Sequence, residues 1–155
     1  MFNLRIFMFF VSVICLFFLF WLFKNFPYKY TEYFPETIFD KLLILSIIKV
    51  ESSFIKDAVS PLGAYGLMQV MPQTSEWINK KFDKNYNLYV PKDNIQLGIK
   101  YLEYLYELNG NLADALIGYN TGPHASKEVK ESAGKRYLKK VYTAYYIYKF
   151  LYRGD

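Results

Sequence analysis

The spacing of hydrophobic positions divides the chain into two parts that meet near residue 27. Residues 6–23 form an uncharged and almost entirely apolar run, whereas apolar residues beyond the junction recur every three or four positions. The first pattern is typical of a membrane-crossing helix, and the second is typical of amphipathic helices around a core. We therefore predict a membrane anchor over residues 1–26, a tether over residues 27–35 and one compact domain over residues 36–155.

The periodic part predicts five helices joined by short loops. They cover about residues 38–53, 74–82, 93–110, 111–122 and 135–152. Asp93 followed by Gln96 resembles a capping box, Asn111 is a favourable N-cap, and Trp77 and Ile78 are expected to face inward. No long alternating pattern indicates a sheet. The domain is predicted to be mostly α-helical, with room for one small hairpin between residues 57 and 71.

The apolar run favours an uncleaved anchor over a secretory signal. Its 18 residues would span about 27 Å as a helix, which is close to the thickness of the hydrocarbon layer. Arg5 and Lys24 bracket the run, and Trp21 lies near one end, where an interfacial ring is favourable. No small-residue cleavage site follows Phe23. Cys15 is the single cysteine, so no disulfide can form within one chain.

Positive charge is concentrated at the C-terminal end. The formal net charge is +5, and residues 124–155 contain eight Lys or Arg against three Asp or Glu. These residues do not form the dense basic stripe of a nucleic-acid-binding module, because Glu128 and Glu131 interrupt it. A solvated helix face, or attraction to anionic lipid headgroups or cell-wall polymer, explains the pattern better.

Glu51 is the first candidate for chemistry. It follows the apolar run of residues 42–50, so it is expected at the end of a buried helix. Removal from water raises the pKa of a carboxyl group, and a group that stays protonated near neutral pH can act as an acid. From its position alone, a solvated glutamate at a helix end remains the alternative.

Three segments beginning at Glu51 change this balance. They read ESSF over residues 51–54, AVSPLGAYGLMQVMP over residues 58–72 and ALIGYNTGP over residues 115–123. In this order and spacing they resemble the Slt-type lytic transglycosylases, which share a goose-lysozyme-like helical fold and cleave the glycan strands of bacterial peptidoglycan. The likeness extends from residue 36 to about residue 148. It implies a mostly α, lysozyme-like domain behind one N-terminal transmembrane helix.

The resemblance implies one catalytic group, Glu51, which serves as both acid and base. His124 is the only histidine, so no Ser/His/Asp relay or histidine-based metal site can be assembled, and the resemblance implies no metal and no organic cofactor. Core packing for Met68 and a turn for Asn120 are the structural alternatives to binding roles. The residues that the resemblance places around the glycan are Ser60, Met68, Gln69, Tyr119, Asn120 and Tyr137.

The implied reaction cleaves the bond between N-acetylmuramic acid and N-acetylglucosamine and leaves 1,6-anhydromuramoyl ends. Two alternatives remain at this point. One is a hydrolytic muramidase in which Asp57 is the second carboxylate that glycoside hydrolysis usually needs, and the other is a catalytically silent, membrane-tethered glycan-binding protein. The expected partners are peptidoglycan strands and the membrane, with cell-wall or secretion machinery as a further candidate. The chain is expected to be a monomer with its domain on the extracytoplasmic side.

Overall fold

The structure, a computed structural model, describes residues 4–153 and is helical. A long helix α1 and a short 3₁₀ turn precede the helices of the domain, and a π-helical turn joins α6 to α7. The elements are α1 Leu4–Asn25, the 3₁₀ turn Thr31–Tyr33, α2 Lys41–Ser52, α3 Pro72–Phe82, α4 Pro91–Asn109, α5 Leu112–Thr121, α6 Lys127–Val129, the π-helical turn Lys130–Gly134 and α7 Lys135–Leu151.

Helix α2 is the centre of the domain. All seven residues from Leu42 to Ile48 are buried, so the helix is enclosed on every side. Its N-terminus is capped by Asp40, whose carboxylate accepts a hydrogen bond of 2.8 Å from the backbone N–H of Leu42. Helix α7 packs along α2, while α4 and α5 pack against each other. A residue at the end of α2 is therefore held by the core itself.

The segment between α2 and α3 contains no strand among the residues that the structure describes. Two isolated antiparallel bridges, Val59 with Tyr65 and Tyr65 with Val70, are found where a small hairpin was expected. Gly63 and Gly66 have positive φ angles of 86° and 82°, which fold the segment into successive turns instead of extended strands.

Several predicted helix limits were wrong by a few residues. Helix α2 begins at Lys41, and Ile38, which the periodicity had included, is 70% exposed. Helix α4 begins at Pro91, so Asp93 lies in its first turn and is not the cap. Proline is favoured at the first helical position because its missing N–H would have no partner there. Trp77 was expected to face inward but is 37% exposed.

The predicted tether is not a free linker, because residues 26–34 pack on the domain. Phe26 is buried against Tyr148, with ring centroids 5.5 Å apart. The Tyr148 hydroxyl donates to the carbonyl of Pro27 at 3.1 Å, and the Tyr152 hydroxyl donates to the carbonyl of Phe26 at 2.8 Å. Aromatic side chains can bury more apolar surface by folding back than by remaining in water, which explains this correction.

Helix α1 projects away from this packed base. Of its described side chains only Leu22 is buried, and the helix is long and apolar enough to cross a membrane by length and composition.

Asn94 holds the irregular segment onto α4. Its side chain is 1% exposed, and it accepts from the backbone N–H of Met68 and donates to the carbonyls of Tyr65 and Leu88. Gly66 lies so close that a Cβ there would be 2.4 Å from the Asn94 amide nitrogen. Three backbone groups, two of them in buried hydrogen bonds, thus depend on one side chain.

We expect Asn94→Ala to lower the free energy of unfolding by about 3 kcal/mol, because buried backbone groups would lose their partners. Urea unfolding followed by circular dichroism measures the change. Asn85→Ala is the matched control, because Asn85 is exposed in the loop between α3 and α4. An Asn94→Ala protein as stable as the Asn85→Ala protein would contradict the role assigned to Asn94.

Candidate active site

Glu51 lies in the last turn of α2, and the chain turns sharply directly after it. Ser53 and Phe54 have positive φ angles of 50° and 66°. The hydroxyl of Ser52 donates to the carbonyl of Leu67 at 2.8 Å, which ties the end of α2 to the irregular segment. The position of Glu51 is therefore set by the central helix on one side and by a fixed turn on the other.

Glu51 opens into a cavity of about 210 Å³. Residues from α2, α5 and α7 meet there, and the sequence predicted three of them: Glu51, Asn120 and Tyr137. The full lining is Val50, Glu51, Asn120, Ala133, Arg136, Tyr137 and Lys140.

The environment of Glu51 favours its protonated form. Burial raises the pKa of its carboxyl group from 4.5 to about 7, while the hydroxyl of Tyr137 acts in the opposite direction. Near neutral pH both the protonated and the ionised form of Glu51 are thus populated. Such a group can both donate and accept a proton at the pH of a cell.

Two tyrosines lie beside this carboxyl group, the half-buried Tyr119 and the buried Tyr137. Tyr119 donates its hydroxyl hydrogen to the carbonyl of Met68 at 2.8 Å. Tyr137 is 5% exposed. Among residues 4–153, its hydroxyl is the one buried polar side-chain atom that makes no hydrogen bond of full geometry. Burial, followed by the charge of Glu51, raises the pKa of both hydroxyls well above the usual value. Both stay neutral, so Tyr137 presents an unsatisfied polar group next to Glu51.

The structure corrects the placement of Met68. Its side chain is fully buried and packs so closely on α4 that a Cβ at Gly98 would lie 2.6 Å from the Met68 sulfur. The side chain therefore belongs to the core and does not line an open groove. The part of Met68 that reaches the site is its carbonyl oxygen, which holds Tyr119.

Ser60 and Gln69 are also outside the lining of the Glu51 cavity. The hydroxyl of Ser60 accepts from the backbone N–H of Ala64 at 3.0 Å, within a turn. The side-chain amide of Gln69 donates to the carbonyls of Ala58 and Gly66 at 3.0 and 2.9 Å. In the structure both side chains stabilise the irregular segment beside the site.

Arg136 and Lys140 line the cavity but were not predicted as site residues. Their positive charge was attributed to a solvated helix face. The signal was available in the sequence, because Lys140 follows Tyr137 by three residues and Arg136 by four, and residues at these spacings are neighbours on a helix surface. The π-helical turn Lys130–Gly134 precedes them, and turns of this kind occur frequently at functional sites.

A second cavity, of about 270 Å³, has walls rich in aromatic rings. The rings of Trp77 and Tyr104 are 4.6 Å apart, and Tyr101 contacts Tyr119 at 5.5 Å between centroids. Tyr119 thus connects this aromatic wall to the surroundings of Glu51. The lining consists of Gln73, Thr74, Trp77, Tyr101, Tyr104, Pro123 and His124.

A metal ion would need several donor side chains close together. Within the described part of the chain, no group of three or more His, Cys, Asp or Glu residues has this arrangement.

Comparison with known proteins gives a consistent result. Residues 36–143 match the family model described as the transglycosylase SLT domain. The soluble lytic murein transglycosylase of Salmonella typhimurium is 35% identical over 110 residues, which cover 64% of this chain and 17% of the relative. The membrane-bound lytic murein transglycosylase C of Actinobacillus pleuropneumoniae serotype 5b is 41% identical over 101 residues, or 56% of this chain and 28% of the relative.

Solved structures confirm the predicted lysozyme-like helical fold. The 70 kDa soluble lytic transglycosylase of Escherichia coli superposes with a TM-score of 0.74 at 27% identity, over 86% of this chain and 26% of that protein. An inactive mutant of the lytic transglycosylase Slt from Pseudomonas aeruginosa, in which a Glu is replaced by Gln, has a TM-score of 0.63 at 30% identity. It covers 75% of this chain and 22% of that protein. The chain thus spans under a third of each of these four proteins.

Proposed function

Since the chain belongs to the transglycosylase SLT domain family, we propose that it is a lytic transglycosylase that cleaves the glycan strands of peptidoglycan. The observation that carries this proposal is the carboxyl group of Glu51. It is the single carboxyl group that lines its cavity, and burial raises its pKa to about 7. Relatives named as lytic murein transglycosylases support the substrate class. The inactive Glu-to-Gln mutant of the Pseudomonas aeruginosa relative is consistent with dependence on one carboxyl group.

In the proposed mechanism Glu51 acts twice. Its protonated carboxyl first donates to the glycosidic oxygen between N-acetylmuramic acid and N-acetylglucosamine, and the substrate's own acetamido group assists departure. The resulting carboxylate then removes the proton from the muramoyl 6-hydroxyl, which closes on C1 and gives a 1,6-anhydro end. Both transfers need a pKa near the working pH, which the burial of Glu51 supplies.

The neighbouring residues fit supporting roles in this reaction. The unsatisfied hydroxyl of Tyr137 can hydrogen-bond to the carboxylate after it has lost its proton. The exposed Asn120 can hydrogen-bond to the sugar, and the aromatic cavity around Trp77 can receive the apolar face of a further sugar ring. We assign Ser60, Met68 and Gln69 to positioning of the irregular segment, on the basis of their contacts.

The position of Asp57 argues against the hydrolytic alternative. Asp57 is exposed and does not line the Glu51 cavity. A hydrolytic mechanism of the usual kind needs a second carboxylate close enough to act on the same bond or to activate a water. The catalytically silent alternative does not explain why a carboxyl group is buried in a cavity at a cost to its ionised form.

Mass spectrometry of digested glycan tests the proposal. We expect muramoyl products with 1,6-anhydro ends, because the 6-hydroxyl and not water attacks C1. Products that have gained one water would support the muramidase, and undigested glycan from a folded, full-length protein would support a binding role. A sample of the same glycan treated with a hydrolytic lysozyme provides the control masses.

We further propose that α1 crosses the cytoplasmic membrane and that the domain lies on its outer side. The length and apolar composition of α1 support the crossing, and the site of the glycan substrate supports the orientation. Protease added to intact spheroplasts is therefore expected to remove the domain, while the untreated membrane pellet retains protein of unprocessed mass. Protection from the protease, or a mature protein that begins near Lys24, would contradict this topology.

A further inference from the structure

An apolar groove lies on the surface between the end of α1 and the C-terminal half of α7. Its volume is about 560 Å³. Tyr146 and Phe150 remain 70% and 68% exposed, although other residues of α7 pack in the core. Large aromatic side chains left exposed side by side indicate a surface that meets a partner. The α1–α7 groove is lined by Phe18, Trp21 and Leu22 from α1 and by Thr143, Tyr146, Ile147 and Phe150 from α7.

The groove lies next to the apolar run of α1, and this position indicates its depth in the membrane. Phe18 lies inside the uncharged run of residues 6–23, five residues before its end, or about 8 Å along the helix at roughly 1.5 Å per residue. The depth of the groove follows from the proposed membrane crossing of α1. A side chain of α7 that shares a groove with Phe18 is then at the depth of the boundary between headgroups and acyl chains. Aromatic residues, tyrosine and tryptophan above all, are favoured at this boundary.

The charge of α7 fits the same surroundings. The helix Lys135–Leu151 contains five Lys or Arg residues and no Asp or Glu. A second surface cavity of about 490 Å³ shares Thr143 and Ile147 with the α1–α7 groove, and Lys49, Lys139 and Lys140 contribute to its lining. The surface along α7 therefore changes from apolar beside α1 to cationic farther away. This order matches the acyl chains and the headgroups of an anionic membrane.

We propose that α7 is seated on the anionic bilayer surface through the α1–α7 groove. Tyr146 and Phe150 enter the boundary between headgroups and acyl chains, and Lys139 faces the anionic headgroups. The packed residues 26–34 leave no free tether, so the domain is held at one height. Tyr137 in the Glu51 cavity is nine residues from Tyr146, or about 14 Å along α7 at roughly 1.5 Å per residue. Cleavage is thus confined to glycan immediately above the membrane.

Site-specific labels in the full-length protein test the proposed contact between α7 and the bilayer. In a Cys15→Ser background, single cysteines replace Tyr146 or Phe150 and carry an environment-sensitive fluorophore. The protein is reconstituted into vesicles that contain phosphatidylglycerol, and quenching by lipid-borne nitroxide is compared with quenching by aqueous iodide. Two label positions serve as references: Ile14→Cys on the exposed face of α1, and Leu62→Cys, which is 84% exposed in the irregular segment.

We expect the labels at positions 146 and 150 to show blue-shifted emission, quenching by the nitroxide and protection from iodide, whereas the label at position 62 shows the reverse. If the label at position 14 is quenched by the nitroxide but the labels at positions 146 and 150 behave like the label at position 62, α1 crosses the membrane and the proposed contact of α7 with the bilayer is wrong. If the label at position 14 is also accessible to iodide and not quenched by the nitroxide, both the proposed membrane crossing of α1 and the proposed contact of α7 with the bilayer are wrong. Protection from iodide without nitroxide quenching would assign the groove to a protein partner, which also overturns the proposal.

The electrostatic part has its own test. The substitution Lys139→Glu is expected to increase iodide access to the label at position 150 in phosphatidylglycerol vesicles. In vesicles of phosphatidylcholine alone the same substitution should change little, because the headgroups carry no net charge. Equal iodide access before and after substitution in the anionic vesicles would overturn the role of Lys139 in facing the headgroups.

Discussion

Replacing Glu51 by Gln is expected to lower the rate of glycan cleavage by about 10² to 10⁴-fold or more, the range typical of one acid/base group. The amide is nearly the same size as the carboxyl group but can neither donate nor accept the required proton. Because Glu51 supplies both proton transfers in the proposed mechanism, the loss should fall at the upper end of this range. Release of anhydromuramoyl products from purified glycan measures the rate.

Asp57→Asn is the matched control for this experiment. Asp57 is exposed outside the Glu51 cavity, so its substitution should leave the rate near that of the unmodified protein. Both variants should unfold thermally near the same temperature as the parent and still bind glycan. Loss of activity in Asp57→Asn would favour the muramidase with two carboxylates. Activity of Glu51→Gln above a tenth of the parent would contradict the assignment of Glu51.

Cleavage is expected to depend strongly on pH because the reaction begins with protonated Glu51. Its pKa is about 7, so the protonated fraction changes little below that value and falls about tenfold for each pH unit above it. The rate at pH 9 should thus be about a hundredth of the rate at pH 5. Initial rates on soluble glycan fragments across this range check the expectation, and a flat profile would contradict a carboxylic acid in this role.

The stability of the domain must be followed over the same range. The folded state binds the proton of Glu51 more tightly than the unfolded chain does, because burial raises the folded pKa from 4.5 to about 7. The contribution of Glu51 is therefore fully present below about pH 4.5 and is lost as the pH rises through about 7. Circular dichroism at each pH separates loss of the acid from loss of the fold.

Tyr137→Phe provides a directional control for the pH profile. The Tyr137 hydroxyl acts against burial and lowers the pKa of Glu51, so its removal should move the alkaline limb of the profile to higher pH. Removal of a buried hydroxyl that has no full hydrogen bond should also leave the thermal stability nearly unchanged. A limb that moves to lower pH would show that the interaction between the two residues has the opposite sign.

Much of the architecture follows from local patterns in the sequence. The three- and four-residue spacing of apolar positions predicted the helices, and Asn111 was confirmed as an N-cap, since its side chain accepts from the backbone N–H of Asp114 at 2.9 Å. The position of Glu51 after an apolar run left a buried carboxyl group and a solvated one as alternatives, and the resemblance carried by the three segments favoured Glu51 as the catalytic group. These features are visible without the fold because they depend on neighbours within one or two helical turns.

Other features depend on contacts between distant segments, and only the tertiary structure decided them. Phe26 and Tyr148 are far apart in the chain, so no local pattern showed that the predicted tether is packed. Met68 and Gly98 meet across two elements, and this contact assigns the Met68 side chain to the core. Arg136 lines the Glu51 cavity because α7 packs along α2. The sequence by itself determined where the long helices lie and which carboxyl group is the candidate acid, whereas packing over long separations determined the burial of that group and the residues that surround it.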